Sequence, residues 1–274
     1  MVLTARDLGR VVLSAWQQGL KSGASRSLAG YVDMIDQGHG DDRAAFWREY
    51  DVAAIVRRWS ALVGPENVTV VTVPKRGADH AELWRRFVRA ADLPPEFVDV
   101  VPQKHDEAAN ISLRIPELSL LLALNRWNDG AMSGSPGRTM RSWLVTHWRE
   151  QRGTDAEIPG EPLRIPQGRA GAIKRWAREQ VQACQQLECR LEGDWDDLLV
   201  PDDVATGPQR QCEPTDAADA AALKVAADAV VGLWRRELPP PPPRAVQAVA
   251  EITRKAPPSL RERVRGVRRR LRSR

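Results

Sequence analysis

Hydrophobic residues in the first third of the chain occur either in a short continuous run or at helical spacing. These two patterns predict strands and helices. Residues 68–73 are β-branched and apolar or threonine at every position, which predicts a strand buried on both faces. The residues before Arg6 are predicted to be the end of another buried strand. Residues 11–22 and 48–63 carry apolar residues at helical spacing, so each range predicts an amphipathic helix.

The order of these elements predicts an α/β layer, in which ligands bind beyond the carboxyl ends of parallel strands. Only two strands are evident from the sequence, whereas parallel sheets usually contain more, so we expect the sheet to be incomplete. Residues 23–45 are predicted to be a loop with one short helix, and residues 110–235 to be mostly helical. The acidic residues Asp194, Asp196 and Asp197 lack the spacing of a calcium loop, so they predict a capped turn.

Charge divides the chain into two unequal parts. Residues 239–274 contain 11 Lys and Arg against 2 Asp and Glu, and the other 238 residues have a net charge of −4. Five consecutive prolines, 239–243, precede the basic segment. We therefore predict a folded domain over residues 1–236, followed by a disordered proline-rich linker and basic tail over 237–274. The tail could contact an anionic partner or a membrane surface, whereas specific nucleic-acid binding is not expected of the acidic body.

Length and composition indicate a folded protein. The chain has 274 residues, of which 42% are hydrophobic and 28% charged, and it contains no run of 18 apolar residues. The N-terminus does not read as a secretory signal, so we expect a cytoplasmic location. Cys184, Cys189 and Cys212 fit no metal-ligand spacing and are expected to be reduced thiols.

Arg6 and Ser14 are the candidate ligand-binding residues. Arg6 follows the first predicted strand, and Ser14 lies eight residues later on the predicted helix. An arginine at a strand-to-helix turn and a hydroxyl on the next helix can meet one phosphate, which the helix N-terminus also favours. Lys21 is near enough in sequence to reach the same anion. Spacing alone leaves open that Arg6 is a surface side chain, Ser14 a buried helical serine and Lys21 a solvated lysine at the end of a helix.

The segment from Thr4 to Gln17 resembles the 3′-phosphate-binding segment of sulfotransferases. Shorter likenesses to the sulfotransferase-like proteins of actinobacteria follow in order up to about residue 200, including residues 59–63, 68–74, 83–87, 110–113 and 193–198. The resemblance implies an α/β, P-loop-like sulfotransferase fold with a parallel sheet, N-terminally incomplete, and a helical C-terminal half. It also implies 3′-phosphoadenosine 5′-phosphosulfate as the donor, no metal, and Arg6 and Ser14 as ligands of the 3′-phosphate.

The chain departs from the family pattern before Arg6. In sulfotransferases the loop that holds the 5′-phosphosulfate, and usually the catalytic base, precede this segment, and here only five residues do. The histidines at 39, 80, 105 and 147 all lie downstream and match no family base, so no catalytic residue is assigned. Gly168, Gly171 and Lys174 fit a second phosphate-contacting motif of the family, but glycine spacing alone is weak evidence.

Two functional hypotheses follow from the sequence. In the first, the chain belongs to a longer sulfotransferase that transfers a sulfuryl group to an unidentified hydroxyl or amine, in a small molecule, glycan or lipid. In the second, it is a non-catalytic sulfotransferase remnant that binds a partner through its basic tail. Neither hypothesis assigns an acceptor or a catalytic base to a residue of this chain.

Overall fold

The computed structural model describes residues 1–75, 77–79, 81–100, 112–127, 134–152 and 161–237. The helices of these ranges are α1 (Leu8–Ser22), α2 (Leu28–Gln37), α3 (Asp41–Tyr50), α4 (Val52–Val63), α5 (Glu82–Ala90), α6 (Ile115–Trp127), α7 (Gly134–Arg152), α8 (Ala170–Gln185) and α9 (Ala217–Glu237). The strands are β1 (Val2–Ala5), β2 (Thr69–Thr72), β3 (Ile165–Pro166), β4 (Arg190–Glu192) and β5 (Thr206–Gly207). Short 3₁₀ helices cover Pro65–Asn67, Pro95–Phe97 and Trp195–Leu198.

Strands β1, β2 and β4 form a small parallel sheet with the order β1-β2-β4. Leu3 pairs with Val70, and Val70 pairs with Leu191 on the other side. Every residue of β2 is buried, which confirms the predicted central strand. β3 and β5 form a separate parallel pair. The protein is therefore mixed α/β with a small parallel sheet.

Two clusters of buried side chains hold the helices against each other and against the sheet. The first brings together α1, α2 and α8 through residues that include Leu8, Val12, Val32, Ile35 and Trp176. The second joins α4, α8 and the sheet through residues that include Val52, Val56, Val70, Val181 and Leu198. Because Leu8, the first residue of α1, is part of the first cluster, the core fixes the start of this helix.

Two predicted elements differ from the observed ones. The single helix predicted over 48–63 is divided at Asp51, whose Oδ1 accepts a hydrogen bond from the N–H of Ala54 at 2.9 Å and begins α4. Within residues 23–45, α2 confirms the short helix predicted near Ser27–Ile35, whereas α3 begins at Asp41, where a loop was predicted. Ser27 caps α2 by accepting from the N–H of Gly30 at 3.1 Å. Local capping therefore decided boundaries that the apolar periodicity did not.

The chain divides into two units, Met1–Asp228 and Ala229–Arg274. Of the second unit the structure describes residues 229–237, which are the end of α9. The prolines at 239–243 and the basic tail lie outside the described residues, so the predicted linker and tail stay predictions. None of the helices in the described ranges has both the length and the apolar character needed to cross a membrane.

Candidate functional site

The turn from β1 into α1 is built around Asp7. This residue is buried, and its Oδ1 accepts a hydrogen bond from the N–H of Arg10 at 2.9 Å. Its Oδ2 accepts from Nε of the same arginine, so Asp7 both caps α1 and neutralises Arg10. Nη2 of Arg10 also donates to the carbonyl oxygen of Pro74 at 3.2 Å. These contacts fix the start of α1 to the end of β2 and thereby set the position of Arg6.

α1 has two unlike faces. Leu8, Val12, Trp16 and Leu20 recur every four residues and are buried in the core. The residues at 10, 14, 17 and 21 lie on another face at spacings of four, three and four. They are Arg10, Ser14, Gln17 and Lys21, and they extend over roughly 16 Å of helix. A row of polar groups with two cations therefore faces away from the apolar cluster.

A cavity of about 420 Å³ lies along this polar face. Arg6 and Ser14 both line it, so the two residues that the sequence pairs are brought together in one cavity, and both are exposed. Lys21 and Arg114 also line it. Of the described residues, those that line this cavity include four basic side chains and neither a carboxylate nor a histidine. The wall is thus suited to an anion.

The other wall comes from two segments far along the chain, residues 112–114 and 162–163. The N–H of Leu113 donates to Oε1 of Gln17 at 3.2 Å, which holds the first segment against α1. Arg114 forms an antiparallel bridge with Pro162. Sequence analysis missed this wall, because nothing in the local pattern shows that residues 96 positions apart meet.

Two buried polar side chains hold the C-terminal end of α1. Nδ2 of Asn125 donates to the carbonyl oxygens of Leu20 and Ala24 at 2.9 and 2.8 Å. Nε of Arg141 donates to the carbonyl oxygen of Lys21 at 3.1 Å. Burial, together with the nearby charge of Arg138, lowers the pKa of Arg141. Side chains of α6 and α7 thus donate to carbonyl oxygens at and just after the end of α1, which helps to keep Lys21 in place on the cavity wall.

The acidic turn after β4 has a structural role and joins this strand to β2. Oδ1 of Asp194 accepts from the N–H of Asp196 at 2.8 Å, which caps the 3₁₀ helix Trp195–Leu198 and confirms the predicted capped turn. Asp197 is buried and accepts from Thr72 Oγ1 at 2.9 Å. Gly193 has a φ of +112°, and a Cβ there would collide with Thr72 and Arg86. A glycine is therefore required at position 193, because φ is positive there and the side chains of Thr72 and Arg86 approach the backbone closely.

Other candidates lie elsewhere. Lys174 donates to the carbonyl oxygen of Asp202 at 2.7 Å and does not line the cavity. His147 stacks on Trp143, with ring centroids 5.6 Å apart, and His39 lies in a separate depression beside Asp41. His80 and His105 lie outside the described residues. Among the described residues there is also no group of three His, Cys, Asp or Glu side chains able to hold a metal ion.

No protein-family model, no curated protein and no solved structure matches this chain.

Proposed function

We propose that the cavity along α1 binds a 3′-phosphorylated adenine nucleotide and that the chain is a sulfotransferase-like protein. The observation that carries the proposal is that Arg6 and Ser14 line one cavity. The same two residues are those that the resemblance to sulfotransferases assigns to the 3′-phosphate. The donor of the proposed reaction is 3′-phosphoadenosine 5′-phosphosulfate, and a hydroxyl or amine would accept its sulfuryl group.

The chemistry of the wall supports an anionic ligand of this size. A guanidinium offers several N–H donors in a fixed fork that suits a phosphate, and a serine adds a neutral donor. Arg10 is paired with Asp7, and the cavity lining contains three other basic side chains, Arg6, Lys21 and Arg114. The volume of about 420 Å³ lies within the usual range of small-molecule sites.

The proposal assigns donor binding to this cavity and no general base. Base catalysis needs a group that can take a proton from the acceptor, and histidines and carboxylates are the usual choices. The described lining residues contain neither. Donor binding can therefore be tested before any assay of transfer.

Calorimetric titration of the 274-residue chain with adenosine 3′,5′-bisphosphate tests the proposal. Adenosine 5′-monophosphate, which lacks the 3′-phosphate, is the comparison ligand and should bind more weakly. Arg6→Ala should cost about 1.5–3 kcal/mol of binding free energy, which corresponds to roughly a tenfold to hundredfold loss of affinity. Arg58→Ala removes the same charge from an exposed position of α4 and should leave the affinity unchanged. Equal affinity for the two nucleotides, or no effect of Arg6→Ala, would contradict the proposal.

A further inference from the structure

Arg114 lies on the cavity wall that the sequence does not reveal. We propose that Arg114 is a further ligand of the bound anion and contacts it from the segment 112–114, so that the anion bridges this segment and α1. The inference rests on the proposed function in that both place an anion in one cavity. It does not depend on whether that anion is a nucleotide.

The first observation is a buried donor without an acceptor. Nε of Arg114 is shielded from solvent and has no hydrogen-bond partner among the residues that the structure describes. Leaving a buried donor unsatisfied destabilises a protein, and more so for a charged group, so native proteins seldom do it. The guanidinium forms no ion pair with the carboxylates of the described residues. Arg114 lines the cavity, so a small movement of its guanidinium toward a bound anion would give Nε the acceptor that it lacks.

The second observation is that the backbone of Arg114 is held on both sides. Its N–H donates to Oε2 of Glu117 at 2.7 Å, and the following N–H, that of Ile115, donates to the carbonyl oxygen of Glu161 at 3.2 Å. The preceding N–H is held by Gln17. These contacts fix the segment before any ligand arrives, and a donor that is already positioned loses less entropy on binding.

The third observation is the charge around the cavity. Arg6, Lys21 and Arg114 lie on its walls, and no described lining residue carries a negative charge. Cations on both walls favour an anion in the space between them. An anion that touches both walls would therefore contact Arg114 and α1 together.

The test uses two anionic probes and charge-matched variants of the full chain. Adenosine 3′,5′-bisphosphate and inorganic pyrophosphate are titrated into the native protein, Arg114→Gln, Arg114→Lys and the control Arg58→Gln. We expect Arg114→Gln to weaken binding about tenfold or more, because it removes a charge-assisted hydrogen bond. Arg114→Lys keeps the charge without a donor at the position of Nε, so it should restore only part of the affinity. The unfolding midpoint of each variant without ligand shows whether the fold is kept.

The outcomes separate the two proposals. If Arg6→Ala weakens nucleotide binding and Arg114→Gln does not, the role of Arg114 is overturned and the proposed function stands. If the nucleotide does not bind but pyrophosphate binds and requires Arg114, the nucleotide proposal fails and the role of Arg114 stands. If neither probe binds the native protein, both are overturned. If Arg114→Gln does not keep the fold, the comparison of Arg114→Lys with the native protein decides, and equal affinity overturns the inference.

Discussion

Nη1 of Arg86 donates to Oδ2 of Asp197 at 2.5 Å, and this pair joins α5 to the turn after β4. The same nitrogen donates to Oγ1 of Thr72 at 2.8 Å, at the last residue of β2. The side chains of Arg86 and Asp197 are 13% and 12% exposed, so the pair is largely shielded from solvent. The end of the central strand, a helix and a turn are thus held at one point.

Replacing Asp197 by Asn should destabilise the fold and change its pH dependence. The substitution removes one of the two carboxylates that pair with Arg86, the other being Glu82 at 3.0 Å, and should cost about 2 kcal/mol near neutral pH. Burial alone raises the pKa of Asp197, but hydrogen bonds from Arg86 and Thr72 outweigh it and hold the pKa below its ordinary 3.8. The measurement is urea unfolding of both proteins over a series of pH values.

The direction of this pH effect follows from the lowered pKa. The unfolded chain takes up a proton on residue 197 at a higher pH than the folded chain does. The stabilisation is therefore present above about pH 4 and is lost as the pH falls through the folded pKa. Asp197→Asn should lack this contribution, so the two stability curves should converge at low pH. If the two stability curves run parallel over the whole pH range, ionisation of Asp197 contributes nothing to the stability of the fold.

Replacing Asn125 by Ala should destabilise the C-terminal end of α1. The carbonyl oxygens of Leu20 and Ala24 lose the hydrogen bonds from its Nδ2, and the expected cost is about 2 kcal/mol. Asn67→Ala is the control, because Asn67 makes a similar bond to the carbonyl oxygen of Val63 at an exposed position. A loss of equal size in both variants would argue against a special role for the buried amide.

Thiol labelling should distinguish Cys189 from Cys184 and Cys212 by its reactivity. Burial is the main cause that raises the pKa of both Cys184 and Cys212 to about 12, so neither forms an appreciable thiolate at pH 8. Cys189 is only half-buried, although burial raises the pKa of its thiol as well. A disulfide reagent should therefore label one thiol slowly in the native protein and three in guanidinium. Cys189→Ser should abolish the native reaction, and fast labelling of two thiols would contradict the burial.

Ser14→Ala should weaken nucleotide binding less than Arg6→Ala does. A neutral hydrogen bond contributes about 0.5–1.5 kcal/mol, so the expected loss for adenosine 3′,5′-bisphosphate is roughly twofold to tenfold. Affinity for adenosine 5′-monophosphate should not change. Ser25→Ala, at an exposed position after α1, is the matched control. A loss that is equal for both nucleotides would remove Ser14 from the 3′-phosphate site.

Deleting residues 239–274 should separate the two functional hypotheses. These residues carry a net charge of +9, and the deletion leaves the cavity residues intact. Nucleotide affinity should be unchanged, whereas sedimentation with phosphatidylcholine–phosphatidylserine vesicles should decrease if the tail binds anionic surfaces. Loss of nucleotide binding on deletion would mean that the tail contributes to the site.

The sequence predicted those parts of the fold whose cause is local. β2 was predicted because its residues are β-branched and buried, and α1 because its apolar residues recur at helical spacing. β4 was missed, since Arg190 and Glu192 give no apolar signal and the strand exists through its pairing with β2. Arg6 and Ser14 lie near each other in sequence, so the sequence could pair them. Arg114 lines the same cavity because Leu113 contacts Gln17 and Arg114 pairs with Pro162, and local patterns cannot show such contacts.

The cavity takes its walls from residues 6–21, 112–114 and 162–163, so it exists only when these three segments have come together. A compound that recognises it would bind the native chain and not the unfolded one. By mass action, a free concentration one hundred times the dissociation constant would add about 2.7 kcal/mol to the free energy of unfolding. Melting curves recorded across a collection of small anions would therefore rank ligands without any knowledge of the reaction. Because the site is formed by three distant segments, an increase in melting temperature reports ligand binding directly.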